Sequence, residues 1–241
     1  MTDVTRRGAV KTLGASALLV AAADGAVAQQ ATPASVPAFT GSFQPKALKF
    51  DPAKLPGLSE RLLKSHWENN YQGSVKTLNA VRSRLSAALA DKDAPPTLYG
   101  GLKREEAHRT GSVVLHELYF DGLGGNGQAG GRIKQAIETA YGSFATWEVE
   151  YRRTAMSLAG GSGWTILSYN LHTGTLSNSW SWDHMHAPAA GIPLLVLDMY
   201  EHSFHMDYGT QAAKYVDAWF ANLDWEEVDR RYARAVAIAR G

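Results

Sequence analysis

A glycine-rich break, Gly122-Leu123-Gly124-Gly125-Asn126-Gly127, divides this chain into two halves with different hydrophobic rhythms. Each glycine costs a helix about 1 kcal/mol relative to alanine, so such a run ends any helix that reaches it. Upstream, Leu58, Leu62, Leu63, Trp67 and Tyr71 keep the spacing of one apolar helix face. Val75, Leu78, Val81, Leu85 and Leu89 continue it, with Gly73 and Ser74 marking an expected kink. Ala94-Pro95-Pro96 stops that stretch. A third helix is predicted over 102–120, burying Val113, Val114, Leu115 and Leu118. Downstream, two short helices fit 133–141 and 143–159, and strand-like runs fit 164–169, 175–182 and 192–197. Leu171-His172-Thr173-Gly174 has the character of a hairpin turn. The last stretch returns to helix, burying Tyr215, Trp219, Leu223, Val228 and Tyr232. The expectation is an α+β protein: an antiparallel helical hairpin domain over 44–127, then a domain over 128–241 with a small antiparallel sheet surrounded by helices.

Residues 1–28 have the layout of an export signal. Thr5-Arg6-Arg7-Gly8 is a twin-arginine start, 15–23 is apolar, and Ala26-Val27-Ala28 is a small-residue cleavage site. The apolar run is too short for a permanent span, so the reading is a twin-arginine signal peptide and a periplasmic or otherwise exported protein; an uncleaved anchor is the alternative. Residues 29–43, rich in Pro, Ala, Ser and Thr, read as a flexible tether. Removing the signal leaves equal numbers of basic and acidic residues. A near-neutral chain lacks the basic surface that nucleic-acid binding needs. The chain has no cysteine, which excludes disulfides, thiol nucleophiles and Cys-held metals. Any metal must sit on nitrogen and oxygen ligands, so the histidines become the residues to follow.

One stretch carries the strongest local signal: Ile192 to Leu197, an apolar strand, runs directly into Asp198-Met199-Tyr200-Glu201-His202. A carboxylate at the end of a buried strand is costly unless paired or metal-bound. Asp198 and His202, four apart, can converge on one ion, and a structural salt bridge explains the pair as readily. His66 and His116 lie on apolar helix faces, where a lone histidine is more often a satisfied core residue than a ligand. Together the four offer three imidazoles and one carboxylate, a set that suits iron or manganese and leaves room for solvent or substrate.

The chain resembles the iron/manganese superoxide dismutases over roughly 55–232. The resemblance rests on Asp198-Met199-Tyr200-Glu201-His202-Ser203-Phe204, Gly161-Ser162-Gly163-Trp164, and His116-Glu117-Leu118-Tyr119-Phe120. It is extended by Tyr215, Trp219-Phe220, Leu223-Asp224-Trp225 and Arg231-Tyr232, and by His66 followed by Val75, Leu78 and Asn79. It implies that His66, His116, Asp198 and His202 hold one iron or manganese ion with a solvent ligand. The implied activity converts superoxide to oxygen and hydrogen peroxide, with the ion alternating between its +3 and +2 states. It also implies a homodimer or a tetramer, with Glu201 reaching a partner's last ligand histidine and His205 near that interface.

Around that ligand set the chain departs from the family pattern. Ser74 stands where the family has a tyrosine, Asn70 where it has a histidine (with Tyr71 next in the chain), Ala212 where it has an arginine, and Tyr200 where it has a tryptophan. The loss of that arginine leaves anion steering weaker or supplied by Lys214 or another base. Ser112 occupies one of the two places for the family's solvent-orienting glutamine. The other falls near 180–186, where His184 is the expected replacement and His186 the alternative. Trp164 and Trp182 are expected to form an apolar wall, and Tyr71 to lie at the site. His108 and His172 read as surface residues. Two rival readings stand beside the dismutase. One is a relative with the same metal site but slow, peroxidase-like or metal-storing behaviour. The other is a glycan-binding module using Trp180 and Trp182 as a stacking platform.

Overall fold

The computed structural model describes residues 36–39 and 42–239, so the expected signal peptide and part of the tether lie outside the described residues. The described end of the tether is docked. Val36 N–H donates to Ser86 Oγ, and Phe43 exchanges backbone hydrogen bonds with the Asn79 side chain, which fastens both to the second helix.

Helix α1, Glu60–Ser65, starts at Ser59, whose hydroxyl accepts from Leu62 N–H. It runs into a π-helical turn, His66–Tyr71, and then into α2, Gln72–Ala90. The irregularity expected at Gly73-Ser74 therefore sits one turn earlier. A π-turn adds a residue per turn and re-aims the faces on either side, so His66 and Tyr71, five apart, are both buried. α3 spans Pro96–Asp121 and begins six residues before the expected start. Proline is at home in the first helical turn, where its missing N–H has no partner to lose. α2 and α3 form the helical hairpin. Two expected core positions, Leu89 and Val114, are exposed. Val114 is rotated off the face that turns Val113 and His116 inward, and Leu89 lies in the last turn of α2.

The glycine break that ends α3 is a tight contact between chain segments. Leu123 bridges Leu223, Gly124 and Gly125 N–H donate to Asn222 C=O, and Asp224 N–H donates back to Gly122 C=O. A Cβ on Gly125 would lie 2.2 Å from the Leu223 carbonyl oxygen, so a side chain there is excluded by backbone. α4, Gly131–Tyr141, and α5, Phe144–Met156, follow. The sheet comes next: β1 Trp164–Asn170, β2 Thr175–Ser181 and β3 Gly191–Asp198, antiparallel in the order β2-β1-β3. The Leu171–Gly174 turn is pinned by Asn170, whose side-chain oxygen accepts from His172 and Thr173 N–H. Register pairs Trp164, at the start of β1, with Asp198, at the end of β3. After a short α6, His205–Tyr208, the expected final helix is two: α7 Ala212–Ala221 and α8 Trp225–Ala239. They break at 222–224 because Asp224 caps α8, accepting from Glu226 and Glu227 N–H. Tyr232 is half-buried rather than buried. Tyr151 of α5 and Trp219 of α7 stack with ring centres 5.7 Å apart beneath the sheet. The expected class holds: a helical hairpin first, then a small antiparallel sheet wrapped by helices.

Candidate metal centre

Four elements deliver one side chain each to a single buried point. His66 comes from the π-turn, His116 from the C-terminal part of α3, Asp198 from the end of β3, and His202 from the short 3-10 turn Glu201–Ser203. One ligand-type atom from each lies within 4.8 Å of all the others. Asp198 Oδ2 is the hub, at 3.0 Å from His66 Nε2, 3.2 Å from His202 Nε2 and 3.7 Å from His116 Nε2. His66, His116 and Asp198 are fully buried, and His202 is partly open.

The surroundings fix the orientation of each group. Tyr200 N–H donates to Asp198 Oδ1, which leaves Oδ2 for the imidazoles. The Asp198 carbonyl accepts from the buried Tyr215 and Ser203 hydroxyls, at 2.8 and 2.9 Å. His116 Nδ1 lies 2.7 Å from the Ser112 carbonyl. A carbonyl can only accept, so Nδ1 carries the proton and Nε2 presents its lone pair. That Nε2 is buried, and among the described residues no hydrogen bond reaches it. A lone pair facing a carboxylate oxygen at 3.7 Å is unfavourable unless a cation lies between them. Burial pushes the His116 imidazole down to about 3 and lowers His66 as well, so both are neutral, the form that ligates a metal. Burial alone raises Asp198, but the His202 and His66 imidazoles outweigh it and hold the carboxyl below the ordinary carboxylate range. The donor set, its protonation and the orphaned Nε2 all fit a hard or borderline divalent or trivalent ion.

A cleft of about 350 Å³ opens over this cluster, lined by residues that include Asn70, Gly73, Ser74, Arg109, His184 and Tyr200. Trp164 is fully buried. Its ring stands edge-on to His116 at 5.0 Å, and its Nε1–H donates to His184 Nδ1 at 2.9 Å. That bond assigns the His184 proton to Nε2. His184 stacks on Tyr200 at 4.8 Å, and Tyr200 stacks on His202 at 5.2 Å. The loop carrying His184 lies against α3 at Gly111, where a Cβ would fall 1.8 Å from the His184 carbonyl oxygen. Two departures from the family pattern touch: Ser74 Oγ and Ser112 Oγ are 2.8 Å apart, and Ser112 Oγ is 3.3 Å from His116 Nδ1.

The other expected site residues fall as follows. Tyr71 is buried, but its hydroxyl donates to Glu117 and accepts from Lys46 N–H, so it braces the ring wall beside His116 rather than facing the cleft. His186 packs on Trp182 at 4.4 Å, whereas His184 lines the cleft. Trp182 is exposed and stands beside Trp180 on the rim of the edge strand, so it forms no wall of the cluster. Glu201 is exposed, with His205 at 4.0 Å. His172 is exposed as expected. His108 is not a plain surface residue: its ring packs on His184 at 4.7 Å and its Nε2 lies 3.6 Å from Asp183. Arg109 and Gly111 are site residues that the sequence reading misses. Arg109, Ser112 and His116, at i, i+3 and i+7, share one face of α3, and that spacing is the signal for Arg109.

The C-terminal domain of the iron/manganese superoxide dismutases matches residues 129–231. Superoxide dismutase [Fe] of Cupriavidus metallidurans is 50% identical over 194 residues, spanning 80% of this chain and 98% of that protein. Superoxide dismutase [Fe] of Aquifex pyrophilus is 33% identical over 77% of this chain and 89% of that protein. Superoxide dismutase [Mn] 1 of Halobacterium salinarum is 30% identical over 75% of this chain and 89% of that protein.

Proposed function

The chain belongs to the iron/manganese superoxide dismutases, and from that premise we propose how its own residues serve the reaction and where the enzyme works. Its activity is the conversion of superoxide to oxygen and hydrogen peroxide at one iron or manganese ion. The glycan-binding and slow-relative readings are not favoured beside that.

His66, His116, Asp198 and His202 hold the ion. The observation that carries this assignment is the buried His116 Nε2: its partner nitrogen Nδ1 holds the proton and donates to the Ser112 carbonyl, so the Nε2 lone pair is left facing Asp198. When bound, the ion would supply the one-electron redox chemistry that dismutation of superoxide needs. The protein's part is to offer three imidazoles and one carboxylate, so that a single negative charge offsets the ion. Tyr215, Ser203 and the Tyr200 N–H keep Asp198 from turning away. His184 orients solvent beside the site, its Nε2–H set by the Trp164 bond. Elemental analysis of wild type and His116→Ala tests the assignment: one ion per wild-type chain and none in the variant support it, and stoichiometric metal in the variant sinks it.

Two further readings complete the proposal. The protein is exported through the twin-arginine pathway to the periplasm, supported by Thr5-Arg6-Arg7-Gly8 and Ala26-Val27-Ala28. That route carries folded proteins, which suits a chain that must select its metal before export. N-terminal sequencing of the periplasmic protein should begin near residue 29, and its failure to leave the cytoplasm would refute the reading. The enzyme is a homodimer across the face that presents Glu201 and His205, both exposed in the single chain. Glu201→Ala should then shift the sedimentation profile towards monomer on dilution, and an unchanged profile would count against this face. Among the described residues no helix is long and apolar enough to cross a membrane.

A further inference from the structure

Superoxide is an anion, and a cleft that admits it gains rate from a fixed positive charge near its mouth. Ala212 leaves this chain without the arginine expected there, and the side chain at 212 is buried in α7. Lys214, the sequence-level substitute, does not line the cleft. Among the described residues that do line it, Arg109 is the one lysine or arginine. It sits two helical turns before His116 on the same face of α3, with Ser112 between them. Its Nε donates to Glu105 Oε1 at 2.6 Å, and this is its one hydrogen-bond partner among the described residues. Glu105 is not part of the cleft lining. The pair therefore turns its positive end towards the cleft and its negative end away. The side chain is about 30% exposed, which keeps the charge hydrated while the low-dielectric walls focus its field.

We propose that Arg109 is the cation that steers the anionic substrate into the cleft, acting in place of the arginine that Ala212 lacks. The proposal rests on the dismutase reading, and it makes Arg109 a specificity and steering residue that forms no bond to the ion. Glu105 is its anchor, holding the guanidinium by Nε so that the two terminal nitrogens remain available to an anion.

The test uses the metal-loaded full-length enzyme and three variants, Arg109→Gln, Arg109→Lys and Glu105→Gln. Each is measured for kcat and kcat/KM across ionic strength, for azide affinity by absorption titration, and for metal per chain. Arg109→Gln should lose roughly three- to tenfold in kcat/KM at low ionic strength. The loss should fall in kcat/KM rather than kcat, the salt dependence should flatten, and azide should bind more weakly by a similar factor with metal content intact. Arg109→Lys should recover most of this, because it keeps the charge. Glu105→Gln should raise kcat/KM at low salt. A wild-type salt slope and azide affinity in Arg109→Gln would overturn the proposal. So would an Arg109→Lys that falls as far as the glutamine variant, since shape rather than charge would then matter. A wild type without stoichiometric metal would instead strike the ligand assignment itself, an outcome that the metal analysis separates from the other two.

Discussion

The floor of the cleft and its rim are built on different terms. On the floor, His66, His116 and Asp198 are cut off from water; backbone groups hold His116 Nδ1 and Asp198 Oδ1, Asp198 Oδ2 faces the imidazoles, and His66 Nδ1 and His116 Nε2 have no hydrogen-bond partner among the described residues. Of these two, His116 Nε2 faces Asp198 and is the atom an ion would take. On the rim, Asn70, Arg109, His184 and Tyr200 are partly open and can call on solvent. A buried polar group without a partner costs several times what an exposed one does. The floor therefore tolerates one ligand set, while the partly open rim can exchange a tryptophan for Tyr200 and still function. Ser74 and Ser112 join the two regions, because their paired hydroxyls reach His116 from the rim side.

This contrast can be broken in order of effect. The largest loss should follow His116→Ala on the floor: dismutation falls to background and metal is absent by elemental analysis, and a metal-bound, active variant would end the distinction. The next effect is acid lability of the metal-free protein. Burial lowers the folded-state pKa of His116 from 6.5 to about 3, and those of His66 and Asp198 are also depressed. The unfolded chain then binds protons first as pH falls. Stability from the floor is complete above about pH 6.5 and drains away towards pH 3, so the melting temperature should drop between pH 7 and pH 4.5; a flat profile would argue that the floor histidines are solvated. Gly111→Ala, where helix and rim loop meet, should cost about 1–3 kcal/mol by overpacking and lower activity by displacing His184 while metal stays bound. An unshifted denaturation midpoint would show that the loop yields freely. Trp164→Phe removes one donor, so about 1 kcal/mol is expected together with an altered reduction potential; an unchanged potential would take His184 out of contact with the site. Ser74→Ala should be the mildest, about 0.5–1.5 kcal/mol by urea unfolding with metal content intact, and metal loss there would erase the boundary between the two regions.

Legibility followed the same division. His66, His116 and Asp198 stand out because each breaks an apolar pattern, and burial makes such a break informative; His202 is legible only from its place four residues after Asp198 and from the family resemblance. Glycine, proline and helical periodicity located most of the elements, since those signals are local. Local pattern misleads where it says nothing about neighbours. Val114 lies in an apolar run yet faces solvent, Trp182 is a large aromatic yet stands exposed, and His108 looks like a surface residue yet packs on His184. The irregularity expected at Gly73-Ser74 occurs at His66–Tyr71 instead, because positioning two buried rings outweighs the weak helix propensity of a glycine-serine pair.

By itself the sequence determined the order of helices and strands, the absence of thiol chemistry and the identity of the four metal-type side chains, because propensity, composition and burial cost act within a few residues. The tertiary structure alone decided that Arg109 faces the cleft, that His184 rather than His186 approaches the cluster, and that Gly111 must lack a side chain. Those facts depend on how a loop after β2 meets α3, a contact between stretches some seventy residues apart, and no local spacing encodes a distance across the fold.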